Sequence, residues 1–127
     1  MTIYPDIRLR KRSDPKKAFL FEVVENCKVN TLVRDVIVPS GTVTDFASVP
    51  RWLWIIFPPH GKMANASVVH DFMYDNRIFE KELGKRTARW HADQVFLGNM
   101  INDGVSESQA LVYYVAVRWF GRSWWDN

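Results

Sequence analysis

The chain has 127 residues, of which 47% are hydrophobic, and it carries 17 Lys and Arg against 14 Asp and Glu. The length suits one domain, and the apolar share is too high for an intrinsically disordered chain. The single cysteine, Cys27, excludes an internal disulfide framework and a four-cysteine zinc site. Apolar runs fall far short of the about 20 residues that a membrane-spanning helix needs. Residues 1–12 lack the apolar core of a secretory signal.

Positive charge is concentrated in the first 34 residues, where eight Lys and Arg accompany four Asp and Glu. The basic segment from Arg8 to Lys17 could contact phosphates in a salt-dependent way. It contains no aromatic residues, whereas proteins that bind single-stranded nucleic acids use aromatic side chains to stack bases. The pattern therefore favours a solvated strand edge over nucleic-acid binding, since Lys and Arg discourage edge-to-edge pairing.

Residues 1–45 predict β-structure. Short β-branched or alternating runs are separated by turn residues such as Ser13-Asp14-Pro15 and Pro39-Ser40-Gly41. The predicted runs are Ile7–Arg10, Phe19–Val24, Val29–Val38 and Thr42–Thr44. We expect them to form an antiparallel meander of three to five short strands.

Residues 46–127 predict mainly helix. The segments are one or two turns at Trp52–Phe57, then Lys62–Asn76, Thr87 to about Asp103, and Glu107–Phe120. Ser106 and Gln109 form a capping box that opens the last helix, and Gly121 is expected to close it. The fold class is therefore α+β: one domain over residues 1–127, with a small N-terminal antiparallel β-meander followed by about three packed α-helices.

A polar constellation lies on two of the predicted helices. His70 and Tyr74 are four residues apart and share a helix face, while Asp93 lies on the next long helix. If the two helices are antiparallel neighbours, Asp93 could accept hydrogen bonds from His70 Nδ1–H and from the Tyr74 hydroxyl. That pairing would leave His70 Nε2 as a general base.

Two further carboxylates accompany this constellation. Asp71 follows His70 directly, and Asp45 lies at the predicted junction between sheet and helices. Ca²⁺ binds carboxylate and carbonyl oxygens, so these two residues are the candidate metal ligands and Ca²⁺ the candidate cofactor. Asp45 has an equal claim to a turn or N-cap role.

The motif His70-Asp71-x-x-Tyr74, followed by Ala92-Asp93-x-x-Phe96, resembles the active-site helix pair of the secreted and prokaryotic phospholipase A2 proteins. The resemblance implies that His70 is the general base for a water, that Asp71 binds Ca²⁺ and that Asp93 orients His70. Tyr74 would be a supporting hydrogen-bond partner.

A longer resemblance is carried by the segments 38–51, 66–74, 89–96 and 117–121, which include Thr44-Asp45-x-x-Ser48-x-Pro50-Arg51 and the His-Asp-x-x-Tyr motif. These segments are similar to a bacteriophage and prophage family, domain of unknown function 1353. The resemblance implies a phage or prophage protein located in the host cytoplasm, in the virion or in both.

The same residues permit a non-catalytic interpretation. A buried set of His, Asp and Tyr can join two helices without any turnover. Ser48 has the residue type of a nucleophile, but its position two residues before a proline is typical of a helix cap. Trp124 and Trp125, with Arg122, are candidate partner-binding residues near the chain end. Trp52 could face a lipid or a partner, and Trp119 could belong to the same interface as Trp124, but for both residues burial between sheet and helices is favoured.

Two functions are consistent with these patterns. The first is water-mediated hydrolysis of an ester or amide, with a lipid as one candidate substrate, by His70, Asp93 and Tyr74. The second is a non-catalytic virion or tail accessory protein that docks onto other phage structural proteins through its aromatic C-terminus and basic N-terminal segment.

Overall fold

Strands precede helices in the computed structural model, which confirms the predicted α+β class. The structure describes residues 9–11, 21–31, 33–44, 52–53 and 61–126, with the backbone alone at residues 11, 61, 62 and 123–126. The basic segment from Arg8 to Lys17 lies largely outside these ranges, as do Asp45 and Ser48.

Five short strands form two antiparallel sheets. The strands are β1 (Leu9–Lys11), β2 (Phe21–Val23), β3 (Cys27–Asn30), β4 (Asp35–Val38) and β5 (Val43–Thr44). The first sheet has the order β1-β2-β5, and β3 and β4 pair with each other. The β3–β4 hairpin is therefore inserted between two neighbouring strands of the other sheet.

The predicted strand Val29–Val38 is two strands in the structure, because a turn after Asn30 folds the chain back on itself. Thr31 Oγ1 accepts hydrogen bonds from the backbone N–H groups of Val33 and Arg34, at 3.2 and 3.3 Å, and donates to the Arg34 carbonyl. A threonine that satisfies its neighbours' backbone in this way favours a turn over a strand. Val29 and Val36 face each other across the hairpin and are both buried.

Four helices follow the strands. They are α1 (Gly61–Asp75), α2 (Glu80–Leu83), α3 (Lys85–Asn102) and α4 (Glu107–Asp126). Trp52 and Leu53 are also helical, and the rest of the predicted Trp52–Phe57 segment lies outside the described residues. None of the helices in the described ranges is long and apolar enough to cross a membrane.

Two helix starts test the predicted boundaries. The long helix α3 begins at Lys85, two residues before the predicted start at Thr87. Gly84 has a φ of 83°, which glycine adopts without strain, and it separates α2 from α3. At α4 the prediction is confirmed, because Ser106 Oγ accepts a hydrogen bond from the backbone N–H of Gln109 at 3.3 Å.

Helix α1 is the central element, buried on nearly every side. Val68, Val69 and Met73 join a cluster with the β3–β4 hairpin, while Met63 and Ala66 join a second cluster with α3 and α4. A helix that is apolar around its circumference must be enclosed. The polar side chains of Ser67 and His70 on α1 are therefore placed in the interior, where they need hydrogen-bond partners.

Candidate active site

Helices α1 and α3 bring His70, Tyr74 and Asp93 together. Asp93 Oδ1 lies 2.7 Å from His70 Nε2 and accepts a hydrogen bond from the Tyr74 hydroxyl at 2.6 Å. His70 and Tyr74 reach the same oxygen because residues four apart in a helix lie one above the other. The predicted contact of Asp93 with both side chains is therefore confirmed.

The nitrogen of His70 that faces Asp93 differs from the prediction. Asp93 was expected to hold Nδ1 and leave Nε2 as the base, but Nε2 is the atom paired with the carboxylate. A carboxylate can only accept, so the neutral imidazole carries its proton on Nε2 and has its lone pair on Nδ1. Nδ1 lies 4.0 Å from Asp71 Oδ1, which is beyond hydrogen-bond distance.

Arg118 on α4 completes the site, and sequence reasoning missed it. Its Nη1 donates to Asp93 Oδ2 at 2.8 Å, so the second carboxylate oxygen is also satisfied. Two observations could have pointed to Arg118. It follows the apolar run Val115-Ala116-Val117 on an amphipathic helix, and a buried carboxylate such as Asp93 needs a cation nearby. Three helices therefore meet at Asp93.

The charge of Asp93 is stabilised despite complete burial. Burial alone would raise the pKa of Asp93, but hydrogen bonds from His70, Tyr74 and Arg118 outweigh it and lower that pKa. Tyr74 shows the converse effect, because burial and the adjacent Asp93 carboxylate raise its pKa. Asp93 is the acceptor and Tyr74 stays a neutral donor.

The imidazole of His70 is enclosed by aromatic rings. Its centroid lies 4.2 Å from that of Tyr74 and 4.6 Å from that of Phe96, and the residue is 1% exposed. These contacts fix the plane of the ring, so that Nε2 stays on Asp93.

Gly121 packs directly against the ring of Tyr74. The glycine was expected to end the last helix, but α4 continues through it to Asp126. A Cβ at Gly121 would lie 2.8 Å from Cε2 and from the hydroxyl oxygen of Tyr74, closer than real Cβ contacts occur. The absence of a side chain at this position lets α4 pack directly on the Tyr74 ring.

Asp71, a predicted metal ligand, lies at the edge of the site, with a side chain that is 14% exposed. Its Oδ2 accepts a hydrogen bond from the Thr44 hydroxyl at the end of β5. Asp45, the second predicted ligand, lies outside the described residues. Within the described ranges no three His, Cys, Asp or Glu side chains are grouped as a metal site, and one carboxylate does not supply the six to eight oxygens of Ca²⁺.

An apolar groove lies on the outer side of α4. Trp119 is 77% exposed and Trp52 is 56% exposed, so the expectation that both are buried is wrong. The groove encloses about 490 Å³, and the described residues that line it are Trp52, Leu53, Leu111, Val112, Val115, Ala116, Trp119 and Phe120. Of the predicted partner-binding residues, Arg122 is exposed, whereas the side chains of Trp124 and Trp125 lie outside the described part of the chain.

Comparison with known proteins identifies the family. A relative from Sinorhizobium fredii (strain NBRC 101917 / NGR234), "Uncharacterized protein y4jT", is 34% identical over 89 residues, which are 68% of this chain and 24% of the relative. The chain thus spans about a quarter of the length of the curated relative that it matches. No solved structure matches the chain significantly. Residues 21–117 match the family described as "Protein of unknown function (DUF1353)", and the chain therefore belongs to the DUF1353 family.

Proposed function

We propose that this protein is a phage-encoded hydrolase of esters or amides in which His70 is the general base. One observation carries the proposal: the fully buried Asp93 holds Nε2 of His70 at 2.7 Å and leaves Nδ1 as the basic nitrogen beside Asp71. A histidine whose second nitrogen is held by a carboxylate is an arrangement that suits general base catalysis. The pairing of His70 with Asp93 also supports the proposed likeness of this helix pair to that of phospholipase A2.

The reaction begins with a water between Nδ1 of His70 and Oδ1 of Asp71. These atoms are 4.0 Å apart, so a water at about 2.8 Å from each can donate one hydrogen bond to each. As the water oxygen attacks the substrate carbonyl carbon, Nδ1 takes its proton, and Asp93 stabilises the resulting imidazolium. The carbonyl bond then re-forms, the bond to the leaving group breaks, and Nδ1–H returns the proton to that group.

Tyr74 and Arg118 act through Asp93. They occupy the remaining acceptor positions of the carboxylate and favour its ionised form. Because His70 is 1% exposed, turnover also requires that a substrate reaches Nδ1 from the side of the more exposed Asp71. The steps above use only His70, Asp71 and Asp93 of this chain.

Hydrolysis is tested with p-nitrophenyl esters and amides and with a dye-labelled phospholipid in mixed micelles, each with Ca²⁺ and with EDTA. Removing a general base costs about 10²–10⁴ in rate, so we expect a loss of this size in His70→Gln. His91→Gln is the matched control, because His91 is on α3 and packs on Phe79 at 5.3 Å. Turnover in His70→Gln equal to that of the wild type would refute the role of His70.

The tautomer of His70 provides a test without any substrate. Two-dimensional ¹H–¹⁵N spectra of the histidine rings distinguish a proton on Nε2 from one on Nδ1. We expect the neutral ring to carry its proton on Nε2, where Asp93 protects it from exchange. A neutral ring protonated on Nδ1 contradicts the assignment of Nδ1 as the base.

The second candidate is a non-catalytic virion or tail accessory protein, and the exposed groove on α4 favours it. Soluble proteins rarely leave a continuous apolar surface uncovered, and interface centres are rich in aromatic residues and arginine. In this proposal an apolar segment of another phage structural protein fills the groove, and Arg122, Trp124, Trp125 and the basic N-terminal segment extend the contact. The test is whether the protein co-purifies with mature phage particles. Docking is supported if the wild type co-purifies and Trp119→Ser does not, and it is excluded if the wild type is absent from the particles.

A further inference from the structure

A basic cavity lies between the start of α3 and the second half of α4. The described residues that line it are Lys85, Arg86, Arg89, Arg118 and Arg122, and they enclose about 530 Å³. Every one of these described side chains is cationic. Sites for small molecules have volumes of about 300–1,000 Å³, so the cavity is large enough for a small ligand.

Three of the cations that line this cavity have no carboxylate partner among the described residues. Arg10, Lys28, Arg34 and Arg77 each have a carboxylate within 4.0 Å. Within the described part of the chain, Lys85, Arg86 and Arg89 have no such carboxylate neighbour. Lys85 and Arg89 also stand one helical turn apart, and an anionic ligand would offset the repulsion between these like charges.

Arg89 gives the second and independent indication. It is only 7% exposed, and its Nη2 donates to the main-chain carbonyls of Val117 and Arg118. Its Nε is buried and has no acceptor among the described residues. A guanidinium that is nine-tenths buried against neutral carbonyls alone is costly, and an anion in the adjacent cavity would offset that cost.

Helix α3 adds to the positive potential. It begins at Lys85 after Gly84, which supplies no side-chain cap, and its first turn contains no acidic residue. The first N–H groups of a helix are unpaired within it and carry a partial positive charge. The start of an 18-residue helix therefore reinforces the cations around it.

We propose that this cavity binds a phosphate group, either as inorganic phosphate or as a phosphate ester. Arginine matches the phosphate oxygens with paired N–H donors. Lys85, Arg86 and Arg89 also lie near the start of α3, and helix starts favour anions. Arg118 uses Nη1 on Asp93 and has four further N–H donors, so it can contact the anion and Asp93 together. The site stands on these contacts and does not depend on hydrolysis at His70.

The test is calorimetric titration of the full chain at constant ionic strength. The probes are inorganic phosphate, glycerol 3-phosphate, and phosphatidylcholine vesicles with or without phosphatidic acid. A single-stranded oligonucleotide serves as the competitor. The variant Arg86→Glu reverses an exposed charge in the cavity, and Lys81→Glu reverses an exposed charge on α2 outside it. Both variants change the net charge equally, and neither residue is buried.

We expect saturable binding of phosphate or glycerol 3-phosphate that Arg86→Glu weakens by at least about tenfold, with Lys81→Glu within about twofold of the wild type. Binding only to vesicles that contain phosphatidic acid, with the same pattern of variants, assigns the phosphate to a lipid headgroup. Lack of binding to every probe overturns the proposal. Equal weakening by both variants also overturns it, as does tighter binding of a competing oligonucleotide, because these outcomes indicate non-specific attraction or a nucleic acid.

Discussion

Two polar regions of this molecule share Arg118 but are built in opposite ways. In the network around Asp93, a single negative charge at 0% exposure is met by His70, Tyr74 and Arg118, so each carboxylate oxygen has a donor. In the basic cavity the described side chains all have the same sign. A compensated network stabilises the packing of helices, whereas a cluster of like charges that is only partly compensated attracts a ligand of opposite charge.

The apolar side chains also form two regions that differ, a buried core and an exposed groove. The interior around α1 is filled, with Met63, Met73 and Phe96 at 1% exposure or less. On the far side of α4, Trp119, Phe120 and Val115 are at least half exposed. Helix α4 therefore faces a packed core on one side and an open groove on the other.

The largest effect is expected from Asp93→Ala. The substitution leaves Arg118 and His70 without their shared acceptor, and removing one partner of a buried ion pair costs about 3–5 kcal/mol of unfolding free energy. Urea denaturation measures this loss. The matched control is Glu82→Ala, which removes the exposed ion pair to Arg34 and should cost no more than about 1 kcal/mol. Equal costs for the two variants would mean that the network contributes little to stability.

Gly121→Ala is expected to have the next largest effect. In an open helical position this change stabilises by about 0.5–1 kcal/mol, because alanine loses less backbone entropy than glycine on folding. Here the added methyl group would meet the Tyr74 ring, so we expect a loss of about 1–3 kcal/mol. Thermal denaturation gives the sign. The cost should shrink when Tyr74→Leu is introduced first, and a stabilising Gly121→Ala would contradict the close packing.

The decrease in unfolding free energy at low pH should depend on Asp93. Its pKa is lowered in the folded state, so the stabilisation is complete above the unfolded value of 3.8 and is lost as pH falls below that value. Urea denaturation from about pH 6 to about pH 2 should show a weaker pH dependence for Asp93→Asn than for the wild type. Parallel profiles would mean that the carboxylate is not stabilised by folding.

Trp119→Ser should have the smallest effect on stability. A residue that is 77% exposed contributes little to the core, and surface substitutions usually change the unfolding free energy by no more than about 0.5 kcal/mol. Chemical denaturation checks this expectation. A much larger loss would show that the groove is part of the packed interior, and it would remove the main support for docking.

The sequence by itself determined the class of the fold and the chemical identity of the site. Local runs, turn residues and caps depend on neighbours a few positions apart, which is why Ser106 and α1 were predicted correctly and why His70, Tyr74 and Asp93 could be grouped. The tertiary structure decided which nitrogen of His70 faces Asp93, that Arg118 joins it, that Gly121 continues a helix, and that Trp119 is exposed. Each of these depends on contacts between helices or on exposure in the folded chain, and short-range patterns carry no information about the rotation of one helix against another.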